Sequence, residues 1–414
     1  MTMNTNLLFT AEFFAGNRQR LRDAVQNAVP IVVTANGLLQ RNADNTFPFQ
    51  QDSSFWYLTG ISEPDLMLVM HDGQEYLIVP GRSASREAFD GAVDAAELTR
   101  ISGIKTVLDA DTGWSKLAAD VTKSKSVATP VAPAAYIEQY GMYTNPARLG
   151  LADRLRQHVK DINFIDIRAE LATLRSIKQP AELEALQSAI DTTIDSLLLL
   201  TEPARFGGYH NEYEIEADLG REFRFRGASG HAFAPIIAGG KRACTLHNVA
   251  NNGALQANSL VILDVGAEVS HYAADITRTK VYGTPTARQQ EVFAAVLDVQ
   301  TYALTLLKPG TLLKEYEAAV EKYMGQTLQK LQLIKTVDRE SIRTYFPHST
   351  SHFLGLDVHD VGDYTKPLEP GMVLTNEPGI YIPAEGIGVR LEDDVLITAD
   401  GATVLSARLP KTLM

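Results

Sequence analysis

The second part of this chain repeats its own order, and that repetition limits the folds open to it. From Pro180, a helix (Pro180–Leu200), a Pro-containing turn and a second helix (Asn211–Arg226) lead to a histidine segment around His247. A strand pair carrying Asp264 and Asp275 follows. The order then returns: a helix (Ala287–Leu307), the turn KPG, a helix (Lys314–Lys330), the segment HSTSHFLGLDVHD at His348–Asp360, and a strand pair carrying Glu377 and Glu392. VILDVGAEV and VLTNEPGIY are similar even in wording. Two such halves facing each other predict four carboxylates gathered at a pseudo-twofold interface.

Those carboxylates sit where isolated charges are costly. Asp264 ends the apolar run SLVILD, and an ionised side chain there needs a partner or a metal. After Gly266 the chain returns as HYAADITRT, so Asp275 can lie opposite Asp264 across a hairpin. Like charges that close call for a cation. Glu377 and Glu392 repeat the arrangement, with Arg390 two residues before Glu392 on one strand face and able to orient it. Asp393 and Asp394 are expected to face solvent or a neighbouring arginine.

His348, His352 and His359 fall within a dozen residues of a chain with nine histidines. The first two have helical i,i+4 spacing, but Pro347, Ser349–Ser351 and Gly355 argue for a strand-and-loop segment holding three imidazoles towards one pocket. Four carboxylates and a histidine form an oxygen-rich ligand set, better suited to Mn²⁺, Co²⁺ or Fe²⁺ than to a structural zinc. Four acids exceed the need of one ion, so two ions sharing bridging carboxylates are expected, and with them hydrolytic chemistry.

Residues 1 to about 165 alternate strand and helix signals and predict an α/β domain. Helices are expected at Thr10–Asn27, Thr112–Val121 and Asn145–Val159, and strands at IVVT (Ile31–Thr34), KTVLDA and KSVATPVAP. DLMLVM and EYLIVP flank His71-Asp72-Gly73-Gln74, a hairpin signal. The domain boundary is placed near Asp166–Lys178, giving units 1–170 and 171–414. Trp56 reads as core packing, His210 and His271 as structural, and His231 equally as a substrate contact or a structural residue. The glycine-rich GGYH and AGGK lack nucleotide-binding spacing.

A net charge of −12 argues against nucleic acid and anionic membrane as partners. The single cysteine, Cys244, excludes an internal disulfide framework and fits a reducing compartment. With no long apolar run, a cytoplasmic protein is expected.

LDVGAEVSHYAADITRT, HSTSHFLGLDVHDVGDY, LTNEPGIYI and GVRLEDDVLIT closely resemble the motifs of the aminopeptidase P and prolidase group of metallopeptidases. FQQDSSFWYLTGISEPD resembles the signature of the aminopeptidase P N-terminal domain. The resemblance implies an α/β N-terminal domain followed by an α+β "pita-bread" catalytic domain, shared with methionine aminopeptidase and creatinase. It implies Asp264, Asp275, His352, Glu377 and Glu392 as ligands of two divalent ions, Mn²⁺ foremost, with Co²⁺, Zn²⁺ or Fe²⁺ as alternatives. Asp275 and Glu392 would bridge the ions, and Glu377 would also act as general base for a bridging water. His247, His348, His359, Tyr381 and Arg390 match the family's other site positions. His348 and His359 are implied to stabilise the tetrahedral intermediate and to help the imino nitrogen of proline leave.

The substrate implied is a proline-containing peptide, cut at an N-terminal Xaa-Pro bond by a hydroxide held on the metal pair. The short connection YIPAEGIGVR and the wording HSTSHFLG resemble aminopeptidase P more than prolidase. Prolidase activity is the alternative, and a catalytically silent binding protein a further one. Departures from the family pattern are Asn248 in LHN, Ser349, Phe89 where a tryptophan is common, and a short DYTKPLEP loop. They touch substrate contacts, not metal ligands. A homodimer or homotetramer is implied by resemblance.

Overall fold

A computed structural model describes residues 8–25, 29–131 and 139–413. The chain divides into two compact units, Met1–Leu174 and Arg175–Met414.

The first unit is built on a six-stranded sheet. Its order is Val107–Asp109, Gln74–Val79, Met67–His71, Ile31–Thr34, Ser126–Thr129, Asn163–Asp166. Met67–His71 runs antiparallel to both neighbours, and the other pairings are parallel. The expected hairpin closes through Asp72 and Gly73, both left-handed (φ 47° and 72°), as a two-residue turn matching the strand twist requires. Helices form at Ala11–Ala24, Ala110–Ser124 and Ala147–His158 where helical segments are predicted. The ends of the first predicted helix and of the KSVATPVAP strand fall outside the described residues. Trp56 is buried, with Phe9 and Phe14 edge-on to it at 5.2 and 5.5 Å. It is core packing, as expected.

The second unit carries the repeat. Its first half has helices Pro180–Leu200 and Glu212–Phe225 and the antiparallel strands Ile236–Gly239, Ser259–Val265 and Ile276–Tyr282. Pro180 starts the first helix, and the Glu182 carboxylate accepts from the Gln179 N–H at 2.9 Å, satisfying a donor at its N-terminus. The second half has helices Ala287–Leu306 and Leu313–Lys330, the antiparallel strands Val373–Asn376, Asp393–Thr398 and Gly401–Val404, and the hairpin Gly379–Ile382/Ile387–Arg390. The apolar faces of each helix pair and the adjoining strands form two separate cores. Burying each half's apolar surface in this way leaves the strand ends free to meet at a seam. There the Glu392 N–H donates to the Thr277 carbonyl at 3.1 Å, and the Thr279 hydroxyl donates to the Arg390 carbonyl at 2.9 Å.

Candidate metal centre

Register decides which carboxylates meet. Asp264 pairs directly with Thr277, and Val265 with Ile276. Asp275 is therefore two residues along from Thr277, diagonal to Asp264 rather than directly opposite as the sequence suggests. Gly266 permits this approach, since a Cβ there would run into the Ala274 carbonyl. In the second half Asn376 pairs with Asp393, and Glu377 and Glu392 follow one step beyond that pair.

The segment His348–Asp360 is neither helix nor strand, apart from one bridge between Phe353 and Leu374. The half-buried Glu317 carboxylate shapes its start, accepting from the N–H groups of Thr350 (2.9 Å) and Ser351 (3.1 Å). Thr350–His352 then runs beside the strand of Glu377: the Thr375 N–H donates to the His352 carbonyl and the Glu377 N–H to that of Thr350. His352 and Glu377 become neighbours. His352 Nδ1 donates to the Phe353 carbonyl at 3.0 Å, which turns Nε2 into the cluster, 3.4 Å from Asp275 and 3.5 Å from Glu377.

The ligand atoms of Asp275, His352 and Glu392 lie within 4.8 Å of one another. Asp264 joins them, with Oδ2 against Arg390 and Oδ1 buried without a hydrogen-bond partner. Burial, reinforced by Asp264, pushes the Asp275 carboxyl well above the usual carboxylate range. Burial and the charges of Asp275, Glu377 and Asp264 do the same to Glu392. Burial raises Glu377 to about 7 against the attraction of His352. These acids cannot all ionise together unless a cation offsets their repulsion. The orphaned Asp264 oxygen, the inward-facing Nε2 of His352 and three carboxyls raised by burial fit divalent metal well, and their oxygen-rich chemistry fits hard or borderline ions.

A polar chain runs beside the cluster. Arg390 donates to Asp264, to the Tyr381 hydroxyl at 2.8 Å and to the Thr277 hydroxyl at 3.2 Å. Tyr381 contacts His348 Nε2 at 2.8 Å. Arg390 thus orients Asp264, whereas the sequence suggests Glu392. The Glu392 carboxylate accepts from the Thr277 hydroxyl at 2.6 Å. Burial and the neighbouring Arg390 hold His348 down at about 3.

His359 opens to solvent on one side, while its ring centroid lies 4.3 Å from that of His352. Partial withdrawal from water, then the neighbouring histidines, lower it to about 4. His247 is exposed on a loop and acts electrostatically on both His348 and His359. That loop is pinned by the buried Glu212 carboxylate, which accepts from Gly239 (2.7 Å) and Gly253 (2.8 Å).

Asp393 lies against Arg278 at 2.8 Å, as expected, whereas Asp394 departs from the expectation. Asp394 is fully buried and accepts from the Asp275 N–H at 3.3 Å. Its neighbour Asp393 takes the arginine, so alternation turns Asp394 inward. Thr277 and Glu317 were not foreseen either. Thr277 stands two residues after Asp275, a same-face spacing that could have marked it. Glu317, on a helix far along the chain, carried no local signal.

Residues 182–399 match metallopeptidase family M24, and residues 14–128 match the aminopeptidase P N-terminal domain. The chain is 34% identical to rat Xaa-Pro aminopeptidase 3 over 92% of this chain and 78% of that one. It is 33% identical to the Xaa-Pro aminopeptidase of Haemophilus influenzae over 97% and 95%. The solved structure of Escherichia coli aminopeptidase P with the inhibitor Pro-Leu superposes with a TM-score of 0.85 at 30% identity, covering 98% of this chain and 96% of that one.

Proposed function

This chain belongs to metallopeptidase family M24, and from that premise we propose that it is an Xaa-Pro aminopeptidase, releasing the N-terminal residue that precedes proline. The observation that carries the reading is the gathering of Asp275, His352 and Glu392 at the seam between the two halves, with Glu377 3.5 Å from His352 and Asp264 held on Arg390, beside the chain Arg390–Tyr381–His348. We assign those five residues as the ligands of two divalent ions, with Mn²⁺ as the metal. When bound, such ions supply positive charge that acidifies water and polarises a peptide carbonyl.

The protein's own groups divide the remaining work. Glu377, whose carboxylate lies 3.5 Å from His352 within the cluster, is placed to take a proton from the attacking water and pass it to the departing nitrogen. A proline amide has no N–H and its nitrogen leaves only with a proton, so this transfer is essential. His359, held at about 4, is neutral near pH 7 and can donate a hydrogen bond to developing charge without acting as an acid. His348, held at about 3, is neutral too, but its Nδ1 donates to the Ser349 carbonyl and its Nε2 accepts from the Tyr381 hydroxyl. It therefore fixes the phenol, rather than donating to the substrate as the family resemblance implies. Tyr381, raised to about 12 by burial, keeps its hydroxyl proton.

Support for an aminopeptidase over a dipeptidase comes from the hairpin after Gly379. Ile382 pairs with Ile387 across four residues, Pro383–Gly386, leaving no insertion there to close the cleft. Among the described residues no helix is long and apolar enough to cross a membrane. We place the protein in the cytoplasm, as a homodimer or homotetramer. The 88% exposed Phe89, on a helix (Ala84–Asp90) with no buried residue, supports assembly. The test is peptide cleavage by the Mn²⁺-loaded protein: release of free alanine from Ala-Pro-Ala supports the reading, and intact peptide after metal loading overturns it.

A further inference from the structure

Beneath the loop that joins His352 to His359 lie three charged side chains in almost complete burial. Asp360 accepts from Arg175 at 2.5 Å and from Lys178 at 2.8 Å, and their side chains are 1%, 3% and 1% exposed respectively. Arg175 also reaches Asp357 at 2.8 Å, so one guanidinium holds residues on both sides of His359. Lys178 Nζ donates to the Arg175 carbonyl at 2.6 Å, and its backbone N–H donates to the Gly371 carbonyl at 2.9 Å. The loop is drawn down onto this group. The Asp360 N–H closes on the Phe353 carbonyl at 2.9 Å, and a Cβ at Gly355 would strike Asp360 and come within 2.6 Å of Lys178 Nζ. The Gly355 carbonyl in turn receives the Ala273 N–H at 2.8 Å, two residues before Asp275.

Buried ion groups are weak sources of stability, because desolvation offsets most of the attraction. Their gain is geometric: charge-assisted, low-dielectric contacts fix atoms in place. His359 itself faces solvent, and its ring contact is with His352. Its position is therefore set by the backbone on either side of it, which is where Arg175 and Lys178 act.

We propose that Arg175, Lys178 and Asp360 form a clamp of positioning residues that holds His359 in register with the carboxylate cluster. The proposal rests on the peptidase reading for its kinetic consequence, though not for its geometry. Without the clamp, the loop relaxes and His359 no longer meets the reacting peptide, while the metal-ligating residues stay in place. Misplacement of about 1 Å at such a group costs roughly 10- to 100-fold in turnover.

The experiment is a double-mutant cycle on the full-length, Mn²⁺-loaded protein, with Lys178→Met introduced into the wild type and into His359→Ala. In the wild type, Lys178→Met is expected to lower kcat by roughly 10- to 100-fold with KM changed by less than about threefold and metal content unchanged. In His359→Ala the same change is expected to have almost no further effect, since its influence passes through the missing imidazole. Equal losses in both backgrounds, or none in either, overturn the clamp. If Lys178→Met does not fold, Asp357→Asn, which removes the solvent-facing partner of Arg175, enters the same cycle with a smaller expected loss.

A second readout does not need catalysis. In histidine-labelled protein loaded with diamagnetic zinc, the His359 ring resonance, identified by its loss in His359→Ala, should shift or broaden in the clamp variant while that of His348 stays put. A protein that cleaves no Xaa-Pro peptide sinks the peptidase reading, yet this spectrum still decides the clamp. An unmoved His359 resonance overturns it.

Discussion

Arg390 bridges Asp264 and Tyr381, donating to a carboxylate of the cluster with one nitrogen and to the phenol, at 2.8 Å, with another. Tyr381 passes the connection to His348 at 2.8 Å. A planar fork reaches its two acceptors from separate nitrogens in fixed directions, a span that the single compact nitrogen of an ammonium does not reproduce. Arg390→Lys is therefore expected to keep the fold but lose the Tyr381 contact, lowering kcat by roughly 10- to 100-fold. Arg390→Ala leaves Asp264 without its buried partner and should cost about 3–5 kcal/mol of stability in metal-free protein. Thermal unfolding beside steady-state kinetics checks both. Full activity in the lysine variant would remove Arg390 from the site's working parts.

Metal content should follow the ligand geometry. Elemental analysis after Mn²⁺ loading is expected to approach two ions per chain. Asp275→Asn or Glu392→Gln should lose most of that metal, while His359→Ala should keep it. A folded wild type that retains almost none would end the metallopeptidase chemistry.

Much of this was legible in the chain. The repeated order of helix, helix, histidine segment and strand pair appears in both halves, because a strand ending in Asp within apolar residues is hard to bury any other way. The hairpin at Asp72–Gly73 and the core role of Trp56 were also readable, from local turn chemistry and aromatic burial. What escaped reading lies in register and long-range partnering. A two-residue offset in pairing makes Thr277, not Asp275, the direct partner of Asp264. Asp394 turns inward because Asp393 takes Arg278. Glu317 reaches Thr350 across 33 residues, and Lys178 reaches Asp360 across 182. No window of sequence contains both members of such pairs.

Proton transfer and binding should separate at Glu377. Glu377→Gln keeps the shape but cannot take a proton, so turnover should fall by roughly 10²–10⁴-fold with a much smaller change in the affinity for a substrate analogue. His359→Ala should lower turnover by roughly 10²-fold at unchanged metal content. Steady-state kinetics, analogue titration and metal analysis on each variant check this. If His359→Ala strips the metal, His359 is a ligand and the division of roles fails.

The carboxylate cluster predicts how stability depends on pH. Asp275, Glu377 and Glu392 are all raised by burial and mutual repulsion. A raised acid binds its proton more tightly in the folded state, so its ionisation disfavours folding. For Glu377 that loss sets in above the unfolded value near 4.5 and is complete above the folded value of about 7. Metal-free protein should therefore lose stability across this window, and bound metal should cancel the loss. The gap in Tm between metal-free and loaded protein is expected to widen from pH 5 to pH 8. A constant gap would mean the carboxyls do not face one another.

The substrate follows from what the site can protonate and what it leaves open. Most peptidases avoid Xaa-Pro bonds, because a tertiary amide offers no N–H and bends the chain. Here the proton for the departing nitrogen can come from Glu377, and the neutral imidazole of His359 can steady the developing charge. The same acidic cluster attracts a free α-amine, which confines cutting to the first bond. Beyond proline, the four-residue turn Pro383–Gly386 leaves room for a third residue. Xaa-Pro-Yaa peptides should therefore be cut faster than Xaa-Pro dipeptides. The measurement is kcat/KM for Ala-Pro, Ala-Pro-Ala and N-acetyl-Ala-Pro-Ala at one Mn²⁺ loading. Ala-Pro-Ala should lead, and the acetylated peptide should be left nearly intact because its amine carries no charge. Faster cleavage of Ala-Pro would make the protein a dipeptidase, and efficient cleavage of the acetylated peptide would show that the free amine is not what sets the cutting position.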